Sequence, residues 1–81
     1  MKVDVKLFAG LKCDNAGLPF FGESDFQLEV PDGTALRDLR NILKINPALP
    51  LLCIVNNVLV QEEFRLSQND QVGMFPPISG G

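Results

Sequence analysis

Three stretches of the chain alternate between apolar and polar residues, as a strand with one buried face does. In residues 2–8, Val3, Val5 and Leu7 point one way, and Lys2, Asp4, Lys6 and Phe8 point the other. Phe8 is out of place there, a large apolar ring on the polar side. Residues 24–30 repeat the pattern, with Phe26, Leu28 and Val30 inward, and are expected to pair antiparallel with the first strand. Residues 71–75 form the third stretch, with Val72 and Met74 inward and Gly73 and Phe75 outward. Residues 51–55 are apolar throughout, which predicts a strand buried on both faces or nearly so. Asn56-Asn57 tolerates positive φ and predicts a tight hairpin into Val58-Leu59-Val60, with Val58 and Val60 inward and Leu59 outward.

One stretch has helical spacing instead. Leu36, Leu39 and Leu43 recur at i, i+3 and i+7, with Ile42 beside them, and predict a helix over residues 35–44. Pro31-Asp32-Gly33 turns the chain before it, Thr34 is its expected N-cap, and Asn46-Pro47 its expected end. Arg37, Asp38, Arg40, Asn41 and Lys44 make up the expected solvated face. Residues 9–23 hold Gly10, Gly17, Pro19 and Gly22, the punctuation of a loop or a short broken helix, with Leu18, Phe20 and Phe21 expected over an edge of the core. Residues 61–66 are mostly polar, anchored by Phe64 and Leu66, and residues 67–70 form a turn. The order strand, strand, helix, strand, short strand, strand predicts an α+β fold. It is the order of the ubiquitin-like β-grasp, a mixed sheet of about five strands with one main helix across one face. In that fold the first and last strands lie parallel at the centre of the sheet.

Composition narrows the function. Eighty-one residues make one domain, expected at 1–75, followed by an extended C-terminal tail at 76–81. The net charge of −3, without a basic cluster, argues against nucleic acid or an anionic membrane as partner. The chain has no apolar run of transmembrane length and no signal-peptide core at its start. Two cysteines are too few for a disulfide framework, so a reducing cytoplasm is the expected location. Cys53 reads as a small core hydrophobe, and Cys13 as incidental, with no flanking group to activate it. The absence of histidine removes the commonest general base and metal ligand, so the chain is not expected to be catalytic alone.

The candidate chemistry lies in Phe75-Pro76-Pro77-Ile78-Ser79-Gly80-Gly81. Two prolines end the last strand, since neither donates a hydrogen bond, and favour a stiff polyproline stalk. A span of roughly 15–20 Å from Pro76 to Gly81 would let a tip enter a partner's buried site while the body stays outside. Gly80 and Gly81 carry no Cβ to block a narrow channel. The expectation is that the Gly81 carboxylate is the group used, with Pro76, Pro77, Ile78, Ser79 and Gly80 presenting it. A carboxylate becomes a usable electrophile once ATP converts it to an acyl adenylate. An inert Gly-Gly ending is the alternative. Strand alternation also gathers Phe8, Leu59 and Phe75 on the side opposite the helix, as an exposed partner-binding patch at the tail's root.

The chain resembles the MoaD/ThiS family of sulfur-carrier proteins nearly end to end. The resemblance rests on Lys6-Leu7-Phe8-Ala9, Val30-Pro31-Asp32-Gly33-Thr34, Val55-Asn56-Asn57, Asn69-Asp70-Gln71-Val72 and the Pro-Pro-Ile-Ser-Gly-Gly ending. That ending is nearest the MoaD branch, the small subunits of molybdopterin synthase; thiamine-pathway relatives usually lack the two prolines. Many relatives carry glycine where this chain has Asn57 and Asn69, and asparagine also suits positive φ. The resemblance implies that a ubiquitin-activating-type enzyme adenylates Gly81 with ATP, and that a sulfur donor protein converts it to a thiocarboxylate. The large catalytic subunit of molybdopterin synthase, in a heterotetramer, would then take that sulfur for the dithiolene of the molybdenum or tungsten cofactor. No cofactor is expected on this chain itself. Sulfur carriage for thiamine or tRNA thiolation, or conjugation to proteins through Gly81 as a modifier, are the alternatives.

Overall fold

The computed structural model describes residues 1–77. Five strands, β1 (Lys2–Leu7), β2 (Asp25–Glu29), β3 (Leu52–Val55), β4 (Val58–Val60) and β5 (Gln71–Phe75), and one helix, α1 (Leu36–Ile42), follow the expected order. The sheet order is β2-β1-β5-β3-β4. β1 pairs antiparallel with β2, Val3 opposite Leu28, and parallel with β5, Leu7 opposite Met74. β5 also pairs antiparallel with β3, and β3 with β4 through a hairpin in which Asn56 and Asn57 both take positive φ. This is the ubiquitin-like β-grasp, with the last strand at the centre of the sheet.

Alternation decides which face is buried. Val3, Val5 and Leu7 of β1, Phe26 and Leu28 of β2, Cys53 and Val55 of β3, and Val72 and Met74 of β5 form one core with Leu36, Leu39 and Leu43 from the helix region. Among the described residues, no helix covers the opposite sheet face. The run in β3 is therefore half-buried: Cys53 and Val55 face the core, while Leu52 is exposed and Ile54 is partly covered. Val58 lies opposite buried Val55, as its phase requires, yet is 60% exposed, because β4 is an edge strand beyond the core. Val60 is partly buried against the core.

The helix is shorter than its apolar stripe, and its ends are satisfied differently. Thr34 is not the N-cap: its hydroxyl donates to the Pro31 carbonyl at 2.6 Å, and Ala35 holds the cap position. The first helical N–H groups instead donate to a neighbouring segment, Leu36 N to Phe64 O at 3.0 Å and Arg37 N to Glu62 O at 2.9 Å. Asp38 Oδ2 accepts from Ala35 N. Backbone carbonyls thus do what a side-chain cap does elsewhere. At the other end Lys44 takes φ of +56°, which stops the helix before Asn46-Pro47 is reached. Asn15 Nδ2 donates to the freed Ile42 carbonyl at 2.7 Å, and Asp14 N to that of Leu43 at 2.9 Å. The 9–23 segment contains no helix and serves as the C-terminal cap of α1. Within it Cys13 is buried and Leu18 and Phe20 pack on the core, Phe20 stacking on Phe26 at 4.9 Å, whereas Phe21 is exposed. Leu66 anchors the 61–66 segment, whereas Phe64 is only partly covered, at 39% exposed. No helix among the described residues is long and apolar enough to cross a membrane.

Arg40 departs most from expectation. It is 7% exposed and not on the solvated face. Its Nη1 donates to Glu62 Oε1 at 2.7 Å, and its Nη2 to the carbonyls of Asn46, at 2.6 Å, and of Leu49. One guanidinium therefore fastens the chain leading into β3 to the turn that follows β4. The sequence carried the signal: residue 40 is the i+4 position of the stripe begun by Leu36 and Leu39.

Candidate docking face

The uncovered sheet face is built by the outward residues of the central strands. Phe8 follows directly after β1, its N–H bonded to Met74 O, and is 41% exposed. Phe75 ends β5 and is half-buried, because the Phe8 ring meets it edge-on, with centroids 6.1 Å apart and planes at 85°. Leu59 on β4 is 64% exposed. The 9–23 segment leaves Phe8 and Leu59 uncovered.

The three residues do not form one contact group. Phe8 and Phe75 meet directly, while Leu59 stands on the far side of β3, paired with Ile54. Ile54 and Leu52 bridge the gap: Ile54 lies opposite Gly73, and Leu52 opposite Phe75. Phe8, Ala9, Ile54, Phe75 and Pro76 line one shallow apolar concavity. Farther along the face the lining turns polar, with Asp4, Lys6, Asp25, Asn57 and Gln71. Ile54 and Leu52 were hidden in sequence because a five-residue apolar run conceals its own phase. Fixing Cys53 and Val55 as inward would have turned both outward.

Pro76 and Pro77 follow β5 outside any strand, Pro76 half-buried in the concavity and Pro77 exposed. The expected tip residues Ile78, Ser79, Gly80 and Gly81 lie outside the described residues. None of the five residues around the concavity carries an ionisable side chain, so it offers an apolar contact surface. Behind the face, Cys53 is buried on the core side, and its thiol pKa is raised, chiefly by burial and further by the Glu62 carboxylate, with Arg40 opposing. Among the described residues, no group of three or more His, Cys, Asp or Glu is placed to hold a metal ion.

The β-grasp sheet, its bare apolar face and a proline-braced segment leaving the central strand define a ubiquitin-like domain of the sulfur-carrier type. The chain belongs to the ThiS family, whose model matches residues 16–81. Among solved structures it is similar to a molybdopterin converting factor subunit 1 from Pyrococcus furiosus, with 26% identity over 95% of this chain and 98% of that one and a TM-score of 0.67. It is similar in fold to SAMP1 from Haloferax volcanii, with 19% identity, full coverage of both chains and a TM-score of 0.69. The same holds for a chain of the complex of subunits 1 and 2 of molybdopterin-converting factor from Helicobacter pylori 26695, with 24% identity, full coverage of both chains and a TM-score of 0.62. No curated protein matches the chain by sequence.

Proposed function

We propose that this protein is the sulfur-carrying small subunit of a molybdopterin synthase, with the Gly81 carboxylate as the working group. An oxygen of that carboxylate bonds to the α-phosphorus of ATP in a ubiquitin-activating-type partner, and pyrophosphate leaves. Sulfide-level sulfur supplied by a donor protein then bonds to the acyl carbon, the acyl–phosphate bond breaks and AMP leaves, giving a thiocarboxylate. The large synthase subunit takes that sulfur for the dithiolene and returns the carboxylate. The carrier supplies no catalytic side chain; Pro76, Pro77, Ile78, Ser79 and Gly80 present the tip, and Phe8, Leu59 and Phe75 grip each partner in turn.

One observation carries the reading: the Pro76-Pro77 stalk leaves the central strand from within an apolar concavity. A partner seated on that face holds the tip at a fixed distance from its own reacting groups. The likeness to a molybdopterin converting factor subunit 1 supports the molybdopterin pathway. A protein-modifier role shares the activation step and is supported by likeness in fold to a small archaeal modifier protein. Intact mass of the protein from its native cell separates them. The carrier reading expects a fraction heavier by the difference between sulfur and oxygen, localised to the last peptide. Its absence in cells making molybdopterin, with adducts on other proteins after denaturing purification, refutes it. Gly80→Val, or an extension past Gly81, is expected to abolish activation without lowering stability.

A further inference from the structure

Gly73 is the middle residue of β5, the central strand, and its position faces the uncovered side of the sheet. Its backbone does not need glycine, because its φ is not among the positive ones. Glycine weakens a strand interior unless something must approach the backbone closely. Here two side chains do. A Cβ on Gly73 would stand 2.8 Å from Ile54 Cγ1, 3.1 Å from Ile54 Cδ1 and 3.3 Å from Phe8 Cε2. Ile54 leans over β5 from one side and Phe8 from the other, closing above a strand position that carries nothing.

We infer that Gly73 is a positioning residue for the docking face: its missing side chain lets Ile54 and Phe8 close over β5 into one apolar shelf that continues to Phe75 and Pro76. The inference rests on the proposed function and adds Ile54 to the residues that hold the adenylating partner. That partner is the occupant because of the tether. Beyond Pro77 the four remaining residues reach at most about 14 Å, so an enzyme holding the Gly81 carboxylate at a nucleotide must lie close to the stalk's point of departure. The shelf is the apolar surface found there. With a methyl group on Gly73, Ile54 must tilt off the strand, and the shelf opens along its middle.

The test is carrier-dependent ATP–pyrophosphate exchange by the adenylating enzyme of the same cell. Urea melts first establish a temperature at which every variant used is folded. Gly73→Ala and Ile54→Ala are each expected to raise KM for the carrier roughly tenfold, the size of a central interface truncation, with kcat within about twofold. Phe21→Ser, exposed in the 9–23 segment, is the control with unchanged KM. The double variant Gly73→Ala/Ile54→Ala removes the clashing Cγ1, so it is expected to be more stable than Gly73→Ala alone and no worse than Ile54→Ala in KM. Should Gly73→Ala alone not fold, Ile54→Ala and the double variant carry the test. Wild-type KM in Ile54→Ala, or independent and additive effects of the two substitutions, overturns the inference and leaves the carrier reading standing. No exchange with the wild-type protein overturns the carrier reading itself.

Discussion

A buried arginine and a buried thiol do more for this domain than their places in the sequence announce. Arg40 clasps two backbone carbonyls and the Glu62 carboxylate at once, and its Nε has no partner among the described residues. Arg40→Ala removes a buried guanidinium from three partly exposed acceptors, which water can partly satisfy, and is expected to destabilise by about 1–3 kcal/mol in urea melts. Arg40→Lys keeps the charge but loses the planar fork, and should recover only part of that. Cys53 gives a pH signature. Its pKa lies above the ordinary value of 9.0 in the folded state. Above that ordinary value the unfolded chain loses a proton that the folded one keeps, so stability is intact below it and falls as pH rises through the raised value. Cys53→Ala should flatten the alkaline part of the stability curve, whatever it does near neutrality. Alternation read Cys53 correctly as core. Arg40 was legible only through helical phase, since its charge argued for solvent and the carbonyls that overrule it come from residues 46–49, which no local pattern ties to it.

At the scale of elements, strand phase carried most of what was legible. The β1, β2 and β5 faces follow directly from period-two alternation, and the Asn56-Asn57 hairpin from the tolerance of asparagine for positive φ. Element ends were not legible, because they are set by partners distant in sequence. The helix start is satisfied by Phe64 and Glu62 carbonyls, and its finish by Asn15 and Asp14. Asn15→Ala removes the donor to Ile42 O and should cost about 1 kcal/mol, read by urea melts, with faster amide exchange in the last turn of α1. The same variant should leave carrier activation unchanged, since Asn15 braces the end of the helix and does not line the concavity on the bare face.

At the scale of the molecule, the sheet separates the core from the face proposed for docking. The helix side holds the core, and the opposite side holds Phe8, Ile54, Phe75 and Leu59. Phe8→Asp, Leu59→Asp and Phe75→Asp, made singly, should leave the domain folded while weakening binding to both the adenylating enzyme and the large synthase subunit. Phe75→Asp should cost most stability of the three, because Phe75 is half-buried against Phe8. Unfolding of all three with unimpaired binding in whatever remains folded would show that the face is structural. The grouping of these residues was legible from phase alone; their division into a Phe8–Phe75 pair and a distant Leu59, joined through Ile54, depends on strand order, which alternation does not encode. That order has a consequence for synthesis. β5 is the last strand made, yet it sits between β1 and β3 and supplies pairing to both. A chain released before Gln71 is therefore not a finished domain missing its tail but two unjoined halves of a sheet, without the strand over which Phe8 and Ile54 meet. Under the proposed function, abortive chains cannot occupy a partner as dead-end decoys: the docking face is complete only in molecules whose translation has passed the last strand.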